Sequence, residues 1–498
     1  MAVSPAPPTP RRGALIAAAA ISGAALMAVE FAGQRLLAVH WGDSVTVWGA
    51  AIATVLGGLT VGYAAGGRIA DRRPERSSLA LALTAAALTA LLIALVGDAL
   101  AGWLAERVPG LRTGALLGSA ALLLAPSVLL GLTSPIAARL AIDSVAGSGR
   151  RAGDVYAAGN LGSIAGALGS TFWLVEALGT RGLLAGAAVA AGAAGLLVGG
   201  GARATAAAGA SAAAAALAAA AIAGDGLGGE GRTVEERDTA YAHLRVADEG
   251  GVRYLWIGSL LHSAQDLDDP ERPVFAYTRA MQRMMCAGRL AEPGELRRAA
   301  MLGVGGGTLI RSIRRLSPTT RIDAVEIDPG VLETARRWFG PPTEGVDYVV
   351  GDGRRFLAGA GPAYDLLILD AYGDDHMPPH LLTREFFAQA AERVADGGVL
   401  AVNFIGPLDG QLTRDTATTL RTAFADVEVY DAQPDRAPED DRNLVLLAGD
   451  GGVALGERCL RETEAALGLA PRELAGAPAP VDPGEPFTDA RPPVLAGG

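Results

Sequence analysis

Between residues 13 and 223 the chain returns seven times to an apolar run long enough to cross a bilayer. A helical span needs about 20 predominantly apolar residues to cover the hydrocarbon core. Such stretches fall at 13–38, 46–66, 78–99, 114–140, 155–177 and 182–202, and a seventh, 204–223, is nearly all alanine. No single water-soluble domain accommodates them. Residues 1–226 are therefore expected to form an all-α multi-span membrane domain of six or seven transmembrane helices, with the lipid bilayer as partner. The first run is too long for the apolar core of a signal peptide and reads as an anchor.

Arginine placement orients such a domain, because cytoplasmic loops carry the excess of basic residues. Arg11 and Arg12 precede the first span, Arg68, Arg72, Arg73 and Arg76 follow the second, and Arg139, Arg150 and Arg151 lie at or after the end of the fourth. The opposite loops hold only Arg107, Arg112 and Arg181. The N-terminus is thus expected inside. Six spans leave the C-terminal half in the cytoplasm; seven export it. Alanine buries little apolar area, so 204–223 is expected not to cross, and the protein is expected in the cell membrane with its C-terminal half cytoplasmic. Within the first span, Glu30 and Arg35 form either a functional pair or a packing pair. Gly162-x-x-x-Gly166 and Gly166-x-x-Gly169 read as close helix contacts.

Charge separates the two halves. All 42 basic residues are arginine, and the net charge of −11 divides into +4 over residues 1–226 and −15 over 227–498. Without a basic excess to neutralise phosphates, nucleic acid is excluded as a main partner. Two cysteines, Cys286 and Cys459, are too few for a disulfide scaffold or a cysteine zinc cluster and are expected as reduced core thiols.

After a linker at 225–235, residues 240–262 alternate like a hairpin, with Glu249-Gly250-Gly251 as the turn. A helix is expected over 274–290. From 298 onward, strands ("RAAMLGV", "RIDAVEI", "VDYVVG", "YDLLILD", "GGVLAVNF") alternate with helices, and "VEVYDA" and "RNLVLLAG" close the series. That order predicts a doubly wound, Rossmann-like α/β domain over 299–450. A small β-rich domain (227–298) precedes it, and a tail (451–498), rich in Pro, Gly and Ala, is expected to be partly disordered.

Candidate chemistry lies at the carboxyl ends of these strands. Gly303-Val304-Gly305-Gly306-Gly307 joins a strand to a helix, where glycines let the backbone approach a ligand at the helix N-terminus. Glu326 ends the next strand and is placed to accept both ribose hydroxyls. Gly351-Asp352-Gly353 ends the third, where Asp352 is placed to bind an adenine amino group. Asp370 ends the fourth, where a carboxylate over the crevice suits a general base. The following Asp374, Asp375, His376 and His380 match no metal-ligand spacing and read as a gate loop.

Taken in order, "LGVGGG", "VEIDP", "GDGRRFL" and "YDLLILDAYGDD…P" resemble the spermidine synthase (polyamine aminopropyltransferase) family, and the small β segment resembles that family's N-terminal domain. "GGRIADRRPE" and "GDVYAAGNLGSIAGALGS" resemble the bacterial members fused to a transporter-like membrane region. The resemblance implies a class I methyltransferase-type fold. It implies aminopropyl transfer from decarboxylated S-adenosylmethionine to putrescine or a related amine, with methylthioadenosine as product and no prosthetic group. It further implies adenosyl binding by Gly303, Gly305, Gly307, Glu326, Asp352 and Gly353, and catalysis by Asp370. Acceptor contacts fall to Tyr241, His262, Tyr277 and Asp374, and a homo-oligomer is expected. Four positions depart from the family pattern: Gly306 for an Asp, Ala242 for a Gln, Thr278 for a His, and Gly373 for an Asp. These put putrescine in question and leave two other readings open: an S-adenosylmethionine-dependent methyltransferase of the same fold, and a non-catalytic polyamine-sensing or transport protein.

Overall fold

The computed structural model describes residues 12–222, 232–468 and 478–493, apart from positions 43, 109, 146, 293, 374, 375 and 438. The chain divides into two compact units. The N-terminal helices together with Arg237–His243 form one, and the chain from Leu244 onward forms the bulk of the other.

The helices of the first unit are α1 (Arg12–Trp41), α2 (Val45–Arg72), α3 (Arg76–Arg107), α4 (Leu111–Ala141), α5 (Ser148–Gly169), α6 (Val175–Val198) and α7 (Ala202–Ile222). A π turn, Ser170–Leu174, links α5 to α6. Among the described residues, α1 to α4 and the stretch Ser148–Val198 are long and apolar enough to cross a membrane. Glycine decides how they meet. Gly58, Gly62 and Gly66 of α2 abut Ser127, Gly131 and Pro135 of α4, leaving no space for a β-carbon, and the register shows that the two helices run parallel. Gly162 and Gly166 of α5 lie in the same way on Ala20 and Ala24 of α1, the close contact expected of that motif. Gly179, at φ 69° and ψ 171°, then breaks the helix, and Gly195 returns against Ala80 of α3.

The alanine stretch is a regular helix rather than a marginal one. Gly192 of α6 faces Ala212 of α7 and Gly195 faces Ala208, so α7 runs antiparallel to α6 along most of its length. Ala208 and Ala215 are fully buried. Alanine gains little from leaving water, but its small side chain lets backbones approach closely, and that packing holds the helix. Arg35 does not pair with Glu30. Its guanidinium donates to Asp238 Oδ1 (3.3 Å) and to the carbonyl of Thr239 (3.1 Å). Asp238 also accepts from the Thr180 backbone N–H (2.5 Å) and contacts His243 Nδ1 (3.1 Å). Burial pushes the Asp238 carboxyl up, but these partners outweigh burial and hold it at about 2.

The C-terminal chain forms two sheets. In the first, β1 (Arg232–Asp238), β2 (His243–Glu249), β3 (Val252–Ile257) and β4 (Leu260–Asp266) lie in sequential order. The expected hairpin is β2–β3. The expected linker instead contributes strand β1 from Arg232, and 223–231 lie outside the described residues.

The second sheet holds β5 (Arg298–Leu302), β6 (Arg321–Glu326), β7 (Val346–Val350), β8 (Tyr364–Leu369), β9 (Val394–Gly406), β10 (Asp426–Asp431) and β11 (Arg442–Gly449), in the order β10-β11-β9-β8-β5-β6-β7. The central five strands are parallel, and β11 and β10 add on antiparallel. Helices α8 (Ala276–Arg283), α9 (Thr308–Leu316), α10 (Pro329–Thr334), α11 (Gly353–Ala358), α12 (Arg384–Arg393) and α13 (Gln411–Arg421) accompany it. Separate apolar clusters lie on its two faces, one built on Met281, Ile310 and Val445, the other on Phe386, Phe387 and Leu446. This is the doubly wound, class I methyltransferase-type arrangement.

One expectation fails here. Cys286 and Cys459 are not free thiols but a disulfide. Helix α14 (Glu457–Leu467) returns against the turn Met284–Cys286, where the Gly456 N–H donates to the Cys286 carbonyl (2.9 Å) and brings the two Cα atoms to 5.5 Å. Within the tail, 469–477 and 494–498 lie outside the described residues, and 478–493 are described. Residues 478–493 run along α13 and α12: the N–H groups of Glu485 and Phe487 donate to Asp415 and Thr419, and Asp489 accepts from Arg354 and Thr383. Backbone hydrogen bonds, which composition does not register, hold this strap.

Candidate active site

The glycine loop follows β5 at the sheet's centre. Gly303, Gly305 and Gly307 all have positive φ (92°, 53° and 77°), which excludes other residues without strain. At Gly303 a β-carbon would also strike the carbonyl of Asp370, so the β5 and β8 ends touch through bare backbone. Gly306, where the family resemblance leads one to expect Asp, is closely surrounded: a β-carbon would lie 3.0 Å from both Phe339 and Ser263, so a side chain there requires those neighbours to give way. Ser263 of β4 sits over the loop and accepts from the Gly306 N–H (2.8 Å).

Glu326 ends β6 beside this loop, buried, with Oε2 accepting from the Val304 N–H (3.0 Å) and Oε1 from the Asp328 N–H (3.2 Å). Burial raises its pKa, partly countered by these two bonds. A carboxylate has about four acceptor sites, so each oxygen keeps one for a ligand hydroxyl. Beyond it, Ile327 and Val350 at the ends of β6 and β7 are 41% and 56% exposed, an apolar ledge in water. A flat base laid on that ledge would cover it. Asp352 caps α11 through the Arg355 N–H (2.8 Å) and pairs with His380 Nε2 (2.9 Å). Burial works against its charge, but the capping bond and His380 keep its pKa below the ordinary value.

Asp370 lies past β8. Its Oδ1 accepts from Asn403 Nδ2 (2.7 Å), and Asn403 Oδ1 accepts from Asn443 Nδ2 (3.1 Å). Burial lifts the Asp370 carboxyl to about 6 against the opposing pull of the Asn403 amide. Two phenols face this charge. Burial and the Asp370 carboxylate raise both Tyr277 and Tyr372 well above the usual range. Tyr277 donates to the His262 carbonyl (3.3 Å), and Tyr372 donates to the Asn403 carbonyl (3.2 Å). The His262 ring contacts the Gly373 carbonyl (3.1 Å), and desolvation depresses it to about 4, so it is neutral at physiological pH. The arrangement is a carboxylate ionised at neutral pH, beside neutral polar groups and two phenols, with β5 between its strand and the exposed ledge at the ends of β6 and β7.

The structure thus gathers Gly303, Gly305, Gly307, Glu326, Asp352 and Gly353 along one sheet edge, and His262 and Tyr277 around Asp370. Tyr241 is 55% exposed and belongs to the first unit. Asp374 lies outside the described residues. Sequence reasoning missed Ser263, Tyr372, Asn403 and Asn443, and placed His380 only in a gate loop, without its contact to Asp352. Only the alternation of β9, which aims Asn403 to the same side as Ala401, offered a signal.

Residues 275–432 match the spermine/spermidine synthase domain. That match lies wholly within the second unit and does not extend to the N-terminal helices. A polyamine aminopropyltransferase of Vibrio vulnificus is 28% identical over 229 residues, 44% of this chain and 73% of the relative. An eEF1A lysine and N-terminal methyltransferase of Mus musculus is 31% identical over 140 residues, 25% of this chain and 19% of the relative. A probable spermidine synthase from Corynebacterium glutamicum superposes with a TM-score of 0.39 at 20% identity, covering 51% of this chain and 97% of that structure.

Proposed function

We propose that the C-terminal unit is an aminopropyltransferase using decarboxylated S-adenosylmethionine as donor and a small amine as acceptor, and that the N-terminal helices anchor it in a membrane. The family match supports the reaction class, and the observation that carries it to this site is Asp370. A primary amine attacks the propyl carbon next to the sulfonium; the new C–N bond forms as the C–S bond breaks, the electron pair leaves with methylthioadenosine, and the ammonium product sheds a proton. Asp370, with a pKa of about 6, is ionised at neutral pH and takes that proton or holds the amine unprotonated. Glu326 takes the ribose, Asp352 the adenine end, and Tyr277 and Tyr372 line the acceptor path.

The test is turnover by the full chain with decarboxylated S-adenosylmethionine and a panel of diamines, read as methylthioadenosine release. Asp370→Asn should lose about 10²–10⁴-fold in rate while still binding methylthioadenosine. Normal turnover by that variant would refute the base. The methyltransferase relative favours one second reading, transfer of a methyl group from S-adenosylmethionine. Product formation only with that donor would establish it in place of the first.

A further inference from the structure

We propose that the C-terminal unit lies on the far side of the membrane from the N-terminus of α1, in an oxidising compartment rather than in the cytoplasm. The inference rests on the membrane reading above but not on the transfer chemistry, and three observations carry it. First, the length and register of α7 fit a seventh pass. Its 21 residues rise about 31 Å at 1.5 Å each, the thickness of the hydrocarbon core, and its antiparallel register with α6 returns its last turn to the end of the bundle where α6 begins. Second, that end is where the following chain is fastened. Asp238 is held by Arg35, near the end of α1, and by the Thr180 N–H, at the Gly179 break. His40 and Arg181 join Asp98 at the same end, through 3.0 and 3.3 Å contacts.

The opposite end carries Arg12, Arg68, Arg72, Arg73, Arg76, Arg139, Arg150, Arg151 and Arg203, against Arg35, Arg107, Arg112 and Arg181 at the Asp238 end, so basic residues mark the N-terminal end as cytoplasmic. Third, and independently of topology, the chain's two cysteines are joined. Disulfides of this kind persist outside the reducing cytosol. A site so placed draws both reactants from the outer compartment.

The test fuses a reporter to the C-terminus of the full chain, alkaline phosphatase in one arm and green fluorescent protein in the other, and in parallel treats denatured protein from acid-quenched cells with a maleimide polymer. Phosphatase activity without fluorescence, and a two-label mass shift that appears only after reduction, are the expected results. Fluorescence without phosphatase activity, or two free thiols before reduction, would overturn the placement. Neither outcome touches the transferase reading, which methylthioadenosine release by purified protein decides.

Discussion

Replacing Asn403 by Leu removes the one hydrogen bond that opposes the burial of Asp370, and the structure sets the size of the result. The Asn403 amide donates to Asp370 Oδ1 at 2.7 Å and is oriented by Asn443. A hydrogen bond to a charged group contributes about 1.5–3 kcal/mol, and one pKa unit is 1.36 kcal/mol. Losing it should therefore lift Asp370 from about 6 by about 1–2 units, to about 7–8. The sign follows from which form is active: the ionised carboxylate works, so the rate falls as pH drops through the folded pKa. The assay is kcat/KM from pH 5 to 9.5, taken as the ratio of variant to wild type so that titration of the acceptor amine cancels. The ratio should fall about 5–50-fold between pH 9 and pH 6 and approach a plateau above pH 8.5. A uniform loss at every pH, with no displaced limb, would refute the account and make Asn403 a packing residue only.

Glu326→Ala strands the Val304 and Asp328 N–H groups as well as a ribose contact, so methylthioadenosine affinity should drop by about 1–3 kcal/mol, or roughly 5–150-fold, by calorimetry; unchanged affinity would remove Glu326 from the pocket. Cys286→Ser opens a bridge across 173 residues and should cost about 2–5 kcal/mol, seen as a lower Tm under non-reducing conditions and no further drop with reductant. Gly162→Leu drives a side chain into the Ala20 backbone, where no flexible neighbour can yield. Detergent-solubilised protein should lose its cooperative helical melt, whereas Gly153→Leu, which faces open space, should leave it intact.

Much of the donor side was legible because its chemistry is local. A glycine loop, a strand-ending acid and a capping Asp are each set by backbone conformation within a few residues, and β5 to β8 deliver them to one edge by their own periodicity. The acceptor side was not, since Asn403, Asn443, Tyr372 and Ser263 reach their partners across 33 to 43 residues, and no pattern along the chain announces a hydrogen bond between two amides on neighbouring strands.

The same distinction separates the two halves. Apolar runs determined that helices fill most of 12–222, and arginine placement which of their ends are alike in charge, because hydropathy and charge act residue by residue. Whether the alanine run joins the bundle is decided by Gly192 against Ala212 and Gly195 against Ala208, an interhelical fit that alanine's own hydropathy does not contain. Whether Cys286 meets Cys459 is decided by the return of α14 over the Met284–Cys286 turn. Composition counts thiols; only folding sets the distance between them.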